Sequence, residues 1–420
     1  MTIRTFITLA LCWYTLSPVI RAQSADWQTL VGALLRSNPE VQAAEKEVAA
    51  AEAAIRVAGT LPDPKLELSA SLTPVETRNG PIENQLMLGQ MFPLWGKLSR
   101  QEKIAVLKRE LARENSRSVR LSIISQFESR WAQYQQIQHS LTILNRYRTE
   151  LESFRNIALT QYSTGLGLTQ HPILKLQIEQ TRVETKTREL QAKKTAVLEA
   201  LGRLFDGPVD TVMLIHLEWP ELALPADSGW IGAAREFNPM LNMSRIREEI
   251  SRVQRELKER QNYPDLVAGM TYTVVGPTDL PGAVSAGKDA LGVKLGLNLP
   301  LWLGRNRARV ESARIHEKAS QISTTDTENK IEEKVAALLA DLEQIRANAA
   351  LYQNRLLPEA DQMLSSAFAA YKTGKISFLD LLDSERMTVN LKLDYERILK
   401  DQRIREATLR QVAGIVTDEE

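Results

Sequence analysis

From Lys97 to Thr164 the chain runs for 68 residues without a glycine or a proline. As one α-helix that segment would be about 100 Å long, far beyond the width of a compact domain. Within it Phe127, Trp131, Tyr134, Ile137, Leu141, Leu144, Tyr147, Leu151, Phe154 and Ala158 recur at intervals of three and four. A stripe averaging about 3.5 residues marks helices packed side by side as in coiled coils. A second stretch, Arg305 to Thr373, is interrupted by Pro358 alone. Each is followed by another helical segment, Ile173 to Leu201 and Ser377 to Ala413. The fold class is mainly α, and the helices must build something elongated.

The two stretches belong to a wider repetition. Asn38-Pro39 returns as Asn238-Pro239, and Pro62-Asp63 as Pro264-Asp265. Phe92-Pro93-Leu94-Trp95 returns as Leu299-Pro300-Leu301-Trp302, and Tyr162-Ser163-Thr164-Gly165 as Tyr371-Lys372-Thr373-Gly374. Four matches in one order, offset by 200 to 209 residues, predict a tandem duplication. Its first copy spans 23–205 and its second 229–420, joined by a Pro-rich segment at 206–228, and the two copies build one structural unit.

Each copy also carries a small β part. Leu291, Val293, Leu295, Leu297 and Leu299 alternate with Gly292, Lys294, Gly296 and Asn298. Leu266 to Val274 and Leu66 to Leu72 alternate in the same way, while Asn84 to Phe92 is less clean because Met87 and Met91 put apolar groups on both faces. Segments of this length with one oily and one small or polar face have the pattern of transmembrane barrel strands. Trp95 and Trp302 follow the strand ends, where interfacial aromatics belong. Thr73 to Glu83 and the segment around Gly282 to Asp289 read as external loops. Four strands cannot close a barrel, and lipid does not tolerate open edges, so membrane strands require several copies of the chain. The same strands would otherwise be soluble hairpins packed on a helix layer.

The first residues predict export. Arg4 precedes an uncharged run, Phe6 to Leu16, with a candidate cleavage site after Ala22. The run suits a signal peptide at 1–22 and is too short to span a bilayer. Cleavage would take 2 of the 53 basic residues (Arg4 and Arg21), leaving 51 against 52 acidic ones. It would also remove Cys12, the one cysteine, unless that residue is lipidated instead. A near-neutral chain offers no footprint for nucleic acid, and a single cysteine excludes disulfide frameworks and cysteine-ligated metal clusters. No metalloprotease, nucleophile-elbow or dinucleotide motif is present, so neither enzyme chemistry nor a cofactor is expected. Gly282 to Asp289 nearly spells a phosphate loop, but Asp289 stands where Ser or Thr is required.

The duplicated order of helix, hairpin, Pro-Leu-Trp-Gly, long helix, Tyr-x-x-Gly and helix resembles the TolC-type outer-membrane efflux family over essentially the whole mature chain. The resemblance implies a homotrimer with a twelve-stranded barrel in the outer membrane and a long periplasmic α-barrel. It implies a periplasmic adaptor and an inner-membrane pump as partners, with the chain serving as a passive exit duct. Phe92-Pro-Leu-Trp-Gly-Lys97 and the compact length resemble the heavy-metal resistance branch. The alternative is a soluble periplasmic coiled-coil adaptor.

The candidate site is the turn Tyr371-Lys-Thr-Gly-Lys375-Ile-Ser377-Phe-Leu-Asp380-Leu-Leu-Asp383. Asp380 and Asp383, three apart, share a helix face. On their own residues they read as helix capping, since Ser377 and Asp380 have capping-box spacing. The resemblance implies instead that both line the periplasmic constriction as carboxylate rings, where crowding would raise some of their pKa values. In the first copy His171, beside Pro172 in the corresponding turn, reads either as a solvated residue or as a pH-dependent element of the ring. His139, His216 and His316 share no ligand spacing with it. Glu248-Glu249 and Glu332-Glu333 read as solvated faces, and Met240 and Met243 as core.

Overall fold

The computed structural model describes residues 27–163, 170–208, 214, 217, 219, 229–279, 281 and 286–415. The expected export signal with Cys12, the first-copy turn at 164–169, most of the join at 206–228, part of the Gly282 loop and the terminal Asp418-Glu419-Glu420 lie outside the described residues.

The same order of elements occurs twice. The first run is α1 (Trp27–Ser37), α2 (Pro39–Ala58), β1 (Lys65–Thr77), β2 (Gly80–Phe92), α3 (Lys97–Ser163) and α4 (Gln170–Phe205). The second is α5 (Gly229–Phe237), α6 (Pro239–Arg260), β3 (Asp265–Val275), β4 (Ala290–Asn298), α7 (Leu303–Leu351), a π-helical turn (Tyr352–Leu356), α8 (Leu357–Lys372) and α9 (Phe378–Ala413). The 67 residues of α3 form one helix. Pro358 does not break its counterpart. The proline cannot donate to the carbonyl of Asn354, and the ladder absorbs the missing bond in the wider turn just before it.

The three-and-four stripe of α3 is buried along its length, with Leu141 half-buried. At its middle Trp131 stacks on Trp219 of the inter-repeat segment, ring centroids 4.0 Å apart, and donates from Nε1 to the Leu214 carbonyl at 3.0 Å. Of the two methionines expected in the core, Met243 is buried, but Met240 is exposed, because it lies on the outer side of α6.

The repeated Asn-Pro pair is a capping device. Asn38 accepts from the N–H groups of Glu40 and Val41, with Pro39 opening the helix, and its Nδ2 donates to the Leu204 carbonyl of α4 at 2.9 Å. Asn238 accepts from Leu241 N–H at 3.0 Å and donates to the Val412 carbonyl of α9 at 2.6 Å. Each buried asparagine therefore satisfies an orphan donor at the start of one helix and an orphan acceptor at the end of another. Gly414 completes the second tie. Its φ is +73°, and a Cβ there would lie 2.1 Å from the Phe237 carbonyl oxygen.

The four strands form one antiparallel sheet in the order β1-β2-β3-β4, with β1 and β4 at open edges. The register sorts the side chains by face. Leu66, Leu88, Met270 and Val293 make one row, and Leu68, Leu86, Tyr272 and Leu291 the next. Gln90, Ala268 and Leu295 follow, then Phe92, Leu266 and Leu297. The other face carries Lys65, Glu67, Ser69, Gln85, Gly89, Gly269, Thr271, Gly292, Lys294 and Gly296. Met87 and Met91 belong to this second face, so the ambiguity of β2 disappears. The leucine face packs on nothing within the chain: Leu295 is 71% exposed and Val293 78%.

One expected loop is sheet instead. β1 continues to Thr77 and turns through Arg78-Asn79 into β2 at Gly80, φ +126°. Asn79-Gly80 is the hairpin signal, and Pro74 is tolerated on an edge strand within the irregularity between Ala70 and Val75.

Asn238→Ala should destabilise the folded chain by about 1–2 kcal/mol by removing a cap and orphaning a buried carbonyl. Asn238→Asp keeps the cap but sets a carboxylate oxygen against the buried Val412 carbonyl, and should be at least as destabilising in thermal denaturation at neutral pH.

Candidate functional site

The turn between α8 and α9 is built by local chemistry. Gly374, at φ +71°, ends α8: its N–H donates to the Tyr371 carbonyl at 3.0 Å, and Lys375 N–H reaches back to Ala370 at 2.9 Å. Ser377 then caps α9. Its Oγ accepts from Asp380 N–H at 3.3 Å, and Asp380 Oδ2 accepts from Ser377 N–H at 3.0 Å and from its hydroxyl at 2.7 Å. The capping box is thus formed, and Asp380 remains exposed. These bonds to Ser377 hold the Asp380 carboxyl below the usual carboxylate range. Within the chain the shift is opposite to the rise that crowding of like charges would produce.

Asp383 is half-buried one turn on and has two cationic neighbours, Lys175 Nζ at 3.4 Å and Arg386 Nη2 at 3.3 Å. Lys175 belongs to α4, so the openings of α4 and α9 are tied together. His171 is the second residue of α4, exposed and helical, not in a loop, and one turn before Lys175. Tyr371 packs its ring against Phe378, which is buried edge-on to Phe154 of α3, at centroid separations of 5.7 and 5.9 Å. Tyr371 is therefore the aromatic wedge of the turn, and Lys375 stands exposed at its apex.

Behind the turn lies a cluster that the sequence reading missed. Tyr147 of α3 donates its hydroxyl to Glu179 of α4 at 3.3 Å, and burial keeps that hydroxyl protonated. Glu385 of α9 is buried beside Glu150 of α3. Burial first, then the hydrogen bond and the charge of Glu150, push the Glu385 carboxyl up to about 8, against the smaller opposing pull of Lys392 and Arg146. The signal for it was present in the sequence. Glu385 falls in register with the buried Leu381, Leu382, Thr388 and Val389, and Glu179 with Leu176 and Val183. A carboxylate at a core position of an amphipathic helix requires a partner or a proton.

At the opposite end, the sheet meets the helices through a second polar knot. Lys97 Nζ is 2.6 Å from Asp265 Oδ1 and donates to the Tyr263 carbonyl at 2.8 Å. The same carboxylate accepts from Leu94 N–H, and Trp95 donates from Nε1 to the Pro264 carbonyl at 3.0 Å. Trp95-Gly-Lys97 of the first copy and Pro264-Asp265 of the second are thus partners across the junction. Trp95 leans on Tyr263 and is 52% exposed, while Trp302 is 70% exposed. Both sit just past strand ends, where an apolar ring with a polar edge suits a membrane interface.

The remaining acidic pairs are solvated faces: Glu249 bridges Lys103 and Arg252, and Glu332 bridges Arg235. Among the described residues no group of three or more His, Cys, Asp or Glu is placed to hold a metal ion.

A sequence profile described as "Outer membrane efflux protein" matches residues 30–205 and 230–415. The chain is similar to the cobalt-zinc-cadmium resistance protein CzcC of Cupriavidus metallidurans, 23% identical over 404 residues, which cover 94% of this chain and 92% of CzcC. Its fold is similar to that of the CmeC outer membrane channel of Campylobacter jejuni, TM-score 0.74 at 16% identity, covering 94% and 87% of the two chains. It is similar also to the outer membrane protein VceC of Vibrio cholerae, TM-score 0.74 at 19% identity, covering 93% and 96%.

The raised Glu385 carboxyl sets a sign for pH dependence. Unfolding frees Glu385 to titrate near its ordinary 4.5, so between there and about 8 the folded state holds the extra proton. Stability therefore falls as pH rises through that window. Glu385→Gln should flatten the fall, and melting curves at pH 5.5 and pH 8.5 compare the two directly.

Proposed function

The chain belongs to the outer membrane efflux protein family, and from that premise we propose how the assembled duct is built and what it carries. The protein is an outer-membrane efflux channel with a large periplasmic helical part. The assembly we infer is a trimer. The observation that carries it is a four-stranded sheet with both edges unpaired and a leucine face packed on nothing. In hydrocarbon an unpaired strand edge costs several kcal/mol per orphaned group. β4 of one copy therefore pairs with β1 of the next, and three copies give a closed twelve-stranded ring with leucine toward lipid and the polar face toward water. Residues 1–22 serve as the export signal.

The long helices carry the tube to a periplasmic mouth at the α8–α9 turn and the opening of α4, where an adaptor and an inner-membrane pump engage it. Asp380 and Asp383 stack there as two carboxylate levels, with His171 nearby on α4 and Lys375 at the apex. Such a mouth attracts cations and resists anions. Together with the likeness to CzcC, this favours divalent metal ions as cargo. The chain itself performs no chemistry on them.

Size exclusion with light scattering on detergent-extracted outer membranes tests the assembly: a particle of three protomer masses is expected, and a soluble monomer or dimer would leave the adaptor reading. Leu295→Arg, a charge placed on the lipid face, should weaken membrane assembly by about 2–4 kcal/mol, read as loss of heat-resistant oligomer on gels. Asp380→Asn with Asp383→Asn removes charge while an amide can still cap α9. Block of single channels by trivalent cations should weaken in that variant, and unchanged block would return both residues to a purely structural role.

A further inference from the structure

We propose that Lys65 and Lys294, with Gly89 and Gly269 between them, form a positively charged belt on the water-facing wall of the barrel that draws in multivalent anions. The inference rests on the reading that the sheets of three copies close with the polar face inward.

The register places these four residues in one row across the sheet: Lys65 opposite Gly89, Gly89 opposite Gly269, and Gly269 opposite Lys294. With strands about 4.8 Å apart, the two lysines stand about 14 Å from each other across backbone that carries no side chain. The gap cannot readily be filled, since a Cβ on Gly269 would lie 2.8 Å from the Leu88 carbonyl oxygen. The next row out holds Glu67, Met87, Thr271 and Gly292. Lys294 extends over that row, its Nζ 3.5 Å from Met87 Sδ.

Charge on this face is therefore sparse and unbalanced. Between the row of Lys65 and that of Ser69 the charged side chains are Lys65, Glu67 and Lys294. Among the described residues neither lysine is in an ion pair within the chain. Asp265, at the start of β3, is committed to Lys97. Three copies bring six lysines against three glutamates to a lumen whose walls at that level are glycine. Ammonium groups on long stems reach into the lumen and act on an ion that passes within the screening length of about 8 Å, so the effect is strongest along the wall and at low ionic strength. The preference is for ligands with several anionic oxygens, such as polyphosphates or polycarboxylates. The sign is opposite to that of the carboxylates at the far end of the tube. A cation meets the same barrier at this level in either direction, and with charges of opposite sign at its two ends the duct would rectify current.

The test uses the purified oligomer in planar bilayers, with hexametaphosphate added to each chamber in turn. From the barrel side the parent channel should be blocked, and Lys65→Gln with Lys294→Gln should raise the blocking concentration on the order of tenfold. Lys65→Arg with Lys294→Arg, which keeps the charge, should retain the block. If the double variant does not insert, each single glutamine variant should still raise the blocking concentration by a part of that factor. Equal block in parent and glutamine variants would overturn the belt while leaving the channel standing. Absence of any conducting oligomer from the parent would instead overturn the barrel on which the inference rests.

Discussion

An open β-sheet edge is the constraint from which the rest of the molecule follows. β1 and β4 each present a row of unpaired backbone groups, and a bilayer has no water to satisfy them. Soluble proteins blunt such edges with charges, bulges or a covering helix. Here β4 is nine residues long with Leu or Val at every second position from Leu291 to Leu297, which is a poor edge to leave exposed and a good one to pair. The proposed trimer would pair that edge with β1 of the next copy.

A sheet in lipid and helices in water must also be held in register with each other, and this falls to a few buried polar groups. Lys97 and Asp265 join the beginning of α3 to the beginning of β3. Each satisfies backbone groups besides its charged partner, which is the condition under which a largely desolvated ion pair is tolerated. Asn38 and Asn238 do the corresponding work where the helices of each repeat begin and end. Arg410 and Glu128, both buried and 2.8 Å apart, pin α9 to α3 between them. These contacts are directional where the leucine stripes are not. Packing supplies the adhesion, and the polar knots select one alignment of very long helices that could otherwise slide by a heptad.

The elongated α part was legible because a run from Lys97 without glycine or proline admits little but helix, and its stripe from Phe127 to Ala158 named its own buried face. The strand faces were legible wherever alternation was strict, as from Leu291 to Leu299. They became ambiguous at Met87, whose side is set by its partner Thr271 and not by its own segment. The segment Thr73 to Glu83, expected as a loop, is strand on both sides of the Arg78-Asn79 turn, as Asn79-Gly80 signals. Pro74 lies on the edge strand β1, where a missing N–H is tolerated. Glu385, Glu179 and Asp265 were passed over because a charge in a long helix or at a strand end is usually solvated. Only the register of their apolar neighbours, or the repetition of the Pro-Asp pair, separates the exceptions from the rule.

The two readings of Asp380 turn out not to compete. A carboxylate ring is useful only while it is charged, and bringing like charges together raises their pKa values and discharges some of them. The Ser377 bonds act in the other direction, since each N–H or O–H that donates to Asp380 Oδ2 favours the ionised form. Capping thus offsets the penalty that assembly would impose, and it fixes the carboxylate at the first turn of α9, where the helix dipole favours it further. Asp383 lies 3.4 Å from Lys175 across the helix pair. That contact joins the openings of α4 and α9, and under the proposed cation cargo an ion beside Asp383 would compete with Lys175 for the same carboxylate. In that geometry the cargo's charge would itself loosen the tie between α4 and α9.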